Sequence, residues 1–355
     1  MPDAIPHEAL ARAVRAAFGA GARIAAEERL FGDASSRRYV RLRLAGGDAP
    51  PTAVAMLLGA DRFPLGSDEI SEGAASRELP FVDVGRYLAA RGFAVPAVLL
   101  DASASDALVL LEDIGDTTLW AAASARPADA PALFAAAVDL LVGLQVAGAR
   151  QPDPSCLAFR RRFDERLARW ELEHFIEHGI ETRHGRPLPG DERAYLLAAL
   201  SPVATPFAQG TPVLVHRDFM AWNLHVQGAR LRLIDFQDAL LGPDAYDLAA
   251  LLTDRTTGTL VGPALEEELL ARFCAARASA ALPLAGDLGT RYRLCALQRA
   301  LKVIGRFHYL ESVLGKPGYL AYLPGVYAVA RRMLDALPAL AAVRPLLARH
   351  VPELA

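Results

Sequence analysis

The sequence predicts an α+β protein with two lobes, a small sheet-rich N-terminal lobe and a larger helical C-terminal lobe. Its 355 residues are more than one compact core usually holds. Apolar and polar residues alternate in the first third, as in strands, whereas helical periodicity dominates beyond about residue 116. The predicted division is an N-terminal lobe at 1–110, a hinge at 111–116 and a C-terminal lobe at 117–355.

The strands of the N-terminal lobe follow from this alternation. Segment 37–45, RRYVRLRLA, has the pattern of a half-buried strand, and TAVAMLL at 52–58 follows a GGDAPP turn as its antiparallel partner. A helix is predicted over 78–92, where apolar residues recur on one face. Two further strands, 93–102 and 107–116, complete the predicted sheet.

The C-terminal lobe shows helical patterns over most of its length. The predicted helical segments are 131–149, 155–178, 245–256, 264–280, 290–314 and 324–348. A loop with the sequence VLVHRDFMAWNLHV and a hairpin, LHVQGARLRLIDF, interrupt them. The sequence contains no internal repeat that would indicate a solenoid.

Composition favours a soluble cytoplasmic protein. The N-terminal segment contains Asp3 and Glu8 and has no uninterrupted apolar run, so no secretory signal is predicted. The most apolar stretch, 132–149, carries Asp139 near its middle. A carboxylate there costs about 2.5–3.5 kcal/mol on membrane-insertion scales, so this stretch is predicted to be a buried helix rather than a membrane span.

The net charge and the cysteine content argue against nucleic-acid binding, a disulfide framework and a zinc site. A net charge of −3 argues against a nucleic-acid-binding protein. Three widely separated cysteines predict neither a disulfide framework nor a zinc site, and they fit a reducing compartment. No sequence feature specifies an oligomeric state.

Three polar residues on two loops carry the strongest functional signal. Asp218 and Asn223 lie five residues apart in HRDFMAWN, and Asp235 follows a short hairpin in LIDFQDA. Phosphoryl transfer needs an oriented nucleophile and cations at the phosphates, and Mg²⁺ prefers hard oxygen ligands. The order H-x-D-x-x-x-x-N, hairpin, D-F matches the catalytic and metal loops of kinases. Asp218 is therefore the predicted catalytic carboxylate, with Asn223 and Asp235 as magnesium ligands.

With these motifs, the chain resembles the aminoglycoside phosphotransferase and choline kinase branch of the protein-kinase-like fold. The resemblance covers nearly the whole chain, because five segments occur in the right order: GDASSRRY, LLEDIGD, HRDFMAWN, IDFQDA and GPDAYDL. It implies an ATP- and Mg²⁺-dependent kinase acting on a small molecule. It also implies that backbone groups of Glu112 and Ile114 contact adenine.

One feature departs from the kinase pattern. The strand that should carry a phosphate-binding lysine reads AVAMLL, with Met56 at the expected position, and the chain has only Lys302 and Lys316. The predicted phosphate contacts are instead Ser35, Ser36, Arg37 and Arg38, since hydroxyl and guanidinium groups suit phosphate. Strand alternation predicts that only one of the two arginines points inward.

This departure makes the chain similar to the bacterial anomeric sugar kinases of the same branch. That resemblance implies phosphorylation of the C1 hydroxyl of N-acetylmuramate and N-acetylglucosamine in cell-wall sugar salvage. Gln237, Arg299 and Arg217 are the predicted sugar contacts. Between 291 and 332 there are eight Lys or Arg and one acid, which suits a neutral or anionic acceptor better than a polycation.

Two alternatives stay open at this stage. One is an aminoglycoside, choline or other small-molecule kinase of the same fold, and the other is a catalytically inactive nucleotide-binding regulatory protein. Several nearby residues have structural interpretations. Asp247 is expected to cap its helix and hold the catalytic loop. Phe219 and Trp222 could stack on a sugar face, but core packing is the commoner role of such residues and is the one expected here. His174, His178 and His184 are expected to be surface residues without metal-like partners.

Overall fold

A computed structural model describes residues 5–30, 37–59, 78–284 and 286–355. Within them it has an antiparallel sheet in the N-terminal part and a mainly helical C-terminal part, which confirms the predicted α+β class. The chain divides into two compact units. Unit 1 consists of Met1–Thr117 and His225–Gln237, and unit 2 of Thr118–Leu224 and Asp238–Ala355. The lobe boundaries inferred from the sequence stay a prediction.

Nine strands and twelve α-helices occur in the described ranges. The strands are β1 Arg23–Leu30, β2 Arg38–Ala45, β3 Thr52–Leu57, β4 Val98–Ala102, β5 Leu108–Glu112, β6 Val213–Val215, β7 Leu224–Gln227, β8 Arg230–Leu233 and β9 Leu240–Gly242. The helices are α1 His7–Phe18, α2 Pro80–Ala90, α3 Leu119–Ala125, α4 Ala130–Arg150, α5 Glu165–His174, α6 Gly190–Leu200, α7 Thr205–Ala208, α8 Tyr246–Thr253, α9 Pro263–Ser279, α10 Leu288–His308, α11 Leu323–Asp335 and α12 Val343–His350.

Unit 1 is built on a five-stranded antiparallel sheet with the order β1-β2-β3-β5-β4. Leu42, Ala55 and Leu110 form the centre of its core, against which α1 packs Leu10 and Val14. Burial of this apolar face stabilises the sheet. Neither α1 nor β1 was predicted from the sequence. Strand β1, at the edge of the sheet, has mostly exposed or half-buried residues and therefore lacks the alternation that identified β2 and β3.

Helix α10 is the most buried long helix described in unit 2. Asp287 caps it by accepting hydrogen bonds from the backbone N–H groups of Gly289 and Thr290. Gly305, near its end, lies so close to another segment that a Cβ atom would be 2.7 Å from Cα of Phe175. A side chain at 305 would prevent this approach of the two backbones.

The predicted helix at 155–178 is partly wrong. It begins only at Glu165, where Asp164 caps it by accepting from Leu167 N–H at 3.0 Å. After His174 it continues as a π-helix over Phe175–Thr182. The predicted helical segment 324–348 is also interrupted, because Pro338 begins a short 3₁₀ turn between α11 and α12.

The π-helix changes the interpretation of two histidines. His184 is exposed, as predicted. His178 is buried and His174 is half-buried, so the prediction that both are surface residues is wrong. The expected absence of metal-like partners is wrong as well, because both rings converge with Glu177.

Within the described ranges, one helix is apolar and long enough to span a membrane by length and composition. It covers Pro127–Arg150 and has a mean hydropathy of 1.9. In the structure it packs against α9 and β6, with Phe134, Val138 and Leu141 buried. Asp139 forms an ion pair with Arg272 Nε at 2.7 Å. This packing agrees with the predicted core helix of a soluble protein.

Candidate active site

The HRDFMAWN loop follows β6, and buried Asp247 of α8 holds its first two residues. The carboxylate accepts hydrogen bonds from the backbone N–H groups of His216 at 2.6 Å and Arg217 at 2.9 Å. The predicted attachment of the loop is therefore confirmed. The predicted cap is wrong, because the N-cap of α8 is Ala245 and Asp247 lies within the helix. Arg217 has a φ of +77°, a strained conformation that the two hydrogen bonds help to hold.

Asp218 is an ionised carboxylate in a cationic environment. Arg299 Nη2 lies 3.5 Å from its Oδ1. Burial alone would raise the pKa of Asp218, but the charges of Arg299, Lys302 and Arg217 outweigh burial and lower the pKa. About a third of the side chain remains exposed. Asp218 can therefore act as a hydrogen-bond acceptor at neutral pH.

Asn223 is oriented by the same loop. Its Nδ2 donates to the backbone oxygen of Asp218 at 2.8 Å, and Met220 N–H donates to that oxygen at the same distance. Because the amide nitrogen is used within the loop, the amide oxygen is the atom of Asn223 that can bind a cation. Phe219 is buried, as predicted, whereas Trp222 is half-buried and stacks on Trp120 at 4.2 Å.

A buried charge cluster centred on Glu171 lies behind this loop. Glu171 accepts from Arg217 Nη2 at 2.8 Å and from Gln298 Nε2 at 2.7 Å, and Lys302 Nζ is 2.9 Å from Oε1. Burial opposes ionisation of Glu171, yet Lys302 and Arg217 lower its pKa. Sequence reasoning missed both Glu171 and Lys302, because no local spacing connects positions so far apart.

Unit 1 contains the other predicted magnesium ligand. Asp235 has a φ of +62°, and its Oδ1 accepts from Gln237 Nε2 at 2.9 Å. Between them in the chain, Phe236 is buried and stacks on Phe81 at 4.8 Å. This packing fixes the turn that presents the Asp235 carboxylate. Gln237 is buried, and its substrate contact stays a prediction.

Of the two candidate phosphate-binding arginines, Arg37 is the more buried. It is 8% exposed, whereas Arg38 is half-buried at the start of β2. Burial raises the pKa of Tyr39, the neighbouring positive charge of Arg37 lowers it, and the negative charge of Asp235 raises it. The charges of Arg37 and Asp235 therefore both act on Tyr39. Ser35 and Ser36 lie outside the described residues.

Comparison with known proteins gives the family. The sequence model described as "Phosphotransferase enzyme family" matches residues 28–283. The chain belongs to this family. It is 32% identical to N-acetylmuramate/N-acetylglucosamine kinase of Caulobacter vibrioides, with 92% of each chain covered. It is 30% identical to the kinase of that name from Pseudomonas putida, covering 89% of this chain and 86% of the relative.

Solved structures support the same fold. A ternary complex of the phosphotransferase APH(2″)-IIa with streptomycin and ATP is similar, with a TM-score of 0.57 and 18% identity. The similarity covers 90% of this chain and 95% of that one. The predictions of a phosphotransferase with a hydroxyl acceptor and of a protein-kinase-like fold are thus confirmed.

The predicted hinge of this phosphotransferase is held by ion pairs within unit 1. Arg41 Nε binds Asp113 at 2.7 Å, and its Nη2 binds Asp116 at 2.7 Å. The Glu112 carboxylate pairs with Arg232, while Glu112 N–H donates to Ala97 O at 2.9 Å. That amide is thus engaged in unit 1. The adenine contacts of Glu112 and Ile114 stay a prediction.

The two arginines predicted to bind sugar have internal partners in the phosphotransferase. Arg217 binds Glu171, and Arg299 donates to the backbone oxygen of Arg217 at 3.2 Å. Both are less than a tenth exposed. Their observed contacts hold the HRDFMAWN loop, and a direct sugar contact by either stays a prediction.

Proposed function

We propose that this phosphotransferase transfers the γ-phosphoryl group of ATP to the anomeric hydroxyl of N-acetylmuramate or N-acetylglucosamine. Relatives about 30% identical over most of the chain carry the name of that activity, and a structural neighbour was solved with ATP. The corresponding role is salvage of cell-wall amino sugars in the cytoplasm.

The observation that carries this proposal is the charge around Asp218. Three cations, Arg217, Arg299 and Lys302, act on this carboxylate, and two of them, Arg217 and Lys302, also pair with Glu171. A polycationic aminoglycoside would favour an acidic site, and choline would favour an aromatic cage. A cationic surrounding instead suits a neutral sugar or one bearing a carboxylate.

In the proposed mechanism, Asp218 orients the attacking hydroxyl and accepts its proton late in a loose transition state. Its lowered pKa keeps it ionised at neutral pH. Arg299 fixes the carboxylate, and the Asp247 hydrogen bonds fix the loop on which it lies. A weakly basic carboxylate suffices, because phosphoryl transfer depends mainly on positioning.

The donor set fits magnesium. The amide oxygen of Asn223 and the carboxylate of Asp235 are hard oxygen ligands, and Mg²⁺ commonly uses one or two such side chains together with phosphate oxygens. When bound, the ion neutralises charge on the transferred phosphoryl group. Among the phosphate contacts, we assign the main guanidinium to Arg37 because it is the more buried arginine, with Arg38, Ser35 and Ser36 assisting.

The test is product identification by ³¹P NMR after incubation with ATP and Mg²⁺. N-acetylglucosamine, N-acetylmuramate, choline and an aminoglycoside would be supplied separately. We expect an anomeric phosphate from the amino sugars and no phosphate transfer to the amines. A phosphorylated primary hydroxyl would contradict the anomeric assignment, and turnover of choline alone would contradict a sugar kinase. Nucleotide binding without transfer to any acceptor would favour a regulatory protein.

A further inference from the structure

Three potential metal ligands converge where α5 passes into the π-helix. His174, Glu177 and His178 each offer one donor atom, and these atoms all lie within 4.8 Å of one another. His178 Nε2 is 3.7 Å from Glu177 Oε1. Residues three and four apart lie on one face of a helix, so His174 can meet both Glu177 and His178. Single π-helical turns within α-helices are frequent at functional sites.

One imidazole ring is oriented by a hydrogen bond, and the other has a buried nitrogen without a partner. His178 Nδ1 lies 3.0 Å from Thr182 Oγ1, and this contact leaves Nε2 directed at Glu177. Metal-binding histidines usually use their second ring nitrogen in this way. His174 Nε2 is buried and has no hydrogen-bond partner among the described residues. A buried polar atom without a partner is unusual and requires an explanation.

Aromatic side chains hold the two rings in place. Trp170 stacks on His174 with ring centroids 5.3 Å apart. Tyr309 contacts His174 and His178 at centroid distances of 5.5 and 4.9 Å. Because these contacts restrict both rings, less side-chain freedom remains to be lost when an ion binds.

Two imidazoles and a carboxylate select a particular class of cation. Zn²⁺ accepts this set with water in a fourth position, whereas Mg²⁺ and Ca²⁺ prefer oxygen ligands alone. Zinc bonds of about 2.0–2.2 Å would place the donors about 3.3 Å apart, so the side chains need to move by roughly an ångström. Burial lowers the pKa of His174 to about 4 and also lowers that of His178.

Two nearby positive charges oppose a cation, that of Arg306 at both histidines and that of Lys302 at His174. The Arg306 guanidinium lies 5.4 Å from the centre of the Tyr309 ring. Glu177 counters these charges within the donor set, and Glu181 acts on His178 with the same sign. We therefore expect weaker binding than in zinc sites with thiolate ligands.

We propose that His174, Glu177 and His178 form a zinc site in unit 2, with water as the fourth ligand. This site is separate from the magnesium ligands of the proposed transfer reaction. Its position suggests a structural role, since Tyr309 follows α10 directly and contacts both histidine rings. A bound ion would hold the π-helix in its present form.

The test uses the full chain, freed of metal with a chelator and titrated with Zn²⁺ by calorimetry and with Co²⁺ by visible absorption. We expect about one ion per chain in the wild type. Affinity should fall at least about tenfold in His174→Gln and His178→Gln, and several-fold in Glu177→Gln. His184→Gln is the matched control, because His184 is exposed and outside the cluster, and it should bind as the wild type does.

A thermal measurement separates binding from folding. Zinc should raise the Tm of the wild type and of His184→Gln, but not that of Glu177→Gln. Glu177 is exposed, so this variant should fold even if a histidine variant does not. Equal zinc affinity in the wild type and in Glu177→Gln and His178→Gln would overturn the proposal, as would an equal loss in His184→Gln. Neither result depends on kinase activity.

Discussion

The guanidinium of Arg299 lies 3.5 Å from the carboxylate of Asp218 and also contacts the backbone oxygen of Arg217. One side chain of α10 thus fixes both the charge and the position of the loop. Arg299 lowers the pKa of Asp218 more than any other neighbour does. The position of the loop and the pKa of Asp218 therefore both depend on Arg299, and substitution of Arg299 should change both.

Arg299→Met should lower kcat/KM at least about tenfold. A positioned acid–base group contributes roughly 10²–10⁴-fold to the rate, and we expect part of that contribution to be lost. Loss of the positive charge raises the pKa of Asp218. Because the protonated carboxylate cannot accept a proton, the acidic limb of the pH–rate profile should move to higher pH. Arg293→Met, on the same helix, is the control. A lower rate with an unmoved acidic limb would contradict the electrostatic role of Arg299.

Asp218→Asn should reduce kcat by roughly 10²-fold or more, because the amide keeps the size of the side chain but cannot accept a proton. ATP affinity, measured by calorimetry, should change little, since only the acceptor side of the reaction is altered. Turnover within a factor of two of the wild type would be incompatible with the role assigned to Asp218.

Asp247 should make the free energy of unfolding depend on pH. Burial raises its pKa to about 7, while the unfolded chain has a value near 3.8. Between pH 3.8 and 7 the Asp247 carboxyl is protonated in the folded state but ionised in the unfolded chain. Protonation of Asp247 therefore stabilises the fold at low pH, and this contribution is lost as the pH rises towards 7. The effect is about 1.4 kcal/mol for each unit between the two pKa values.

Asp247→Asn should remove this dependence. Urea unfolding at several pH values between 4.5 and 7.5 measures it, with the difference between wild type and variant as the reported quantity. The variant should lose less stability than the wild type as pH rises. If the two curves stay parallel across this interval, Asp247 does not titrate in it.

Glu171→Gln should destabilise unit 2 by about 3–5 kcal/mol, because removing one partner leaves the buried cations Arg217 and Lys302 without their shared counter-charge. Glu165→Gln, at the half-exposed start of the same helix, should stay within about 0.5 kcal/mol. Denaturant unfolding of both variants provides the comparison. A small change in Glu171→Gln would mean that the cluster relaxes or admits water.

Local sequence signals predicted the parts of this protein that depend on short spacings. Asp218 and Asn223 were recognisable because they lie five positions apart on one loop, and β2 and β3 because their residues alternate. Glu171 and Lys302 were not, because a buried ion pair between positions 131 residues apart has no local pattern. The π-helix was missed because residues on either side of it keep helical periodicity. The interruption of the helix at Pro338 could have been predicted from the sequence, since proline does not continue a helix.

The close approach at Gly305 gives a test of how α10 packs on the π-helix. In Gly305→Ala the new Cβ atom would lie 2.7 Å from Phe175 Cα and 2.9 Å from the carbonyl oxygen of His174, both backbone atoms. Overpacking of this kind typically costs about 1–3 kcal/mol, more than the 0.5–1 kcal/mol that alanine gains over glycine in a helix. We therefore expect a lower midpoint of urea unfolding. Gly289→Ala is the matched control on the same helix, because its Cβ would meet side chains alone, the flexible end of Arg293 at 3.2 Å and the Asp287 carboxylate at 3.5 and 3.8 Å. This variant should be neutral or slightly stabilised, and equal destabilisation of both would contradict the packing argument.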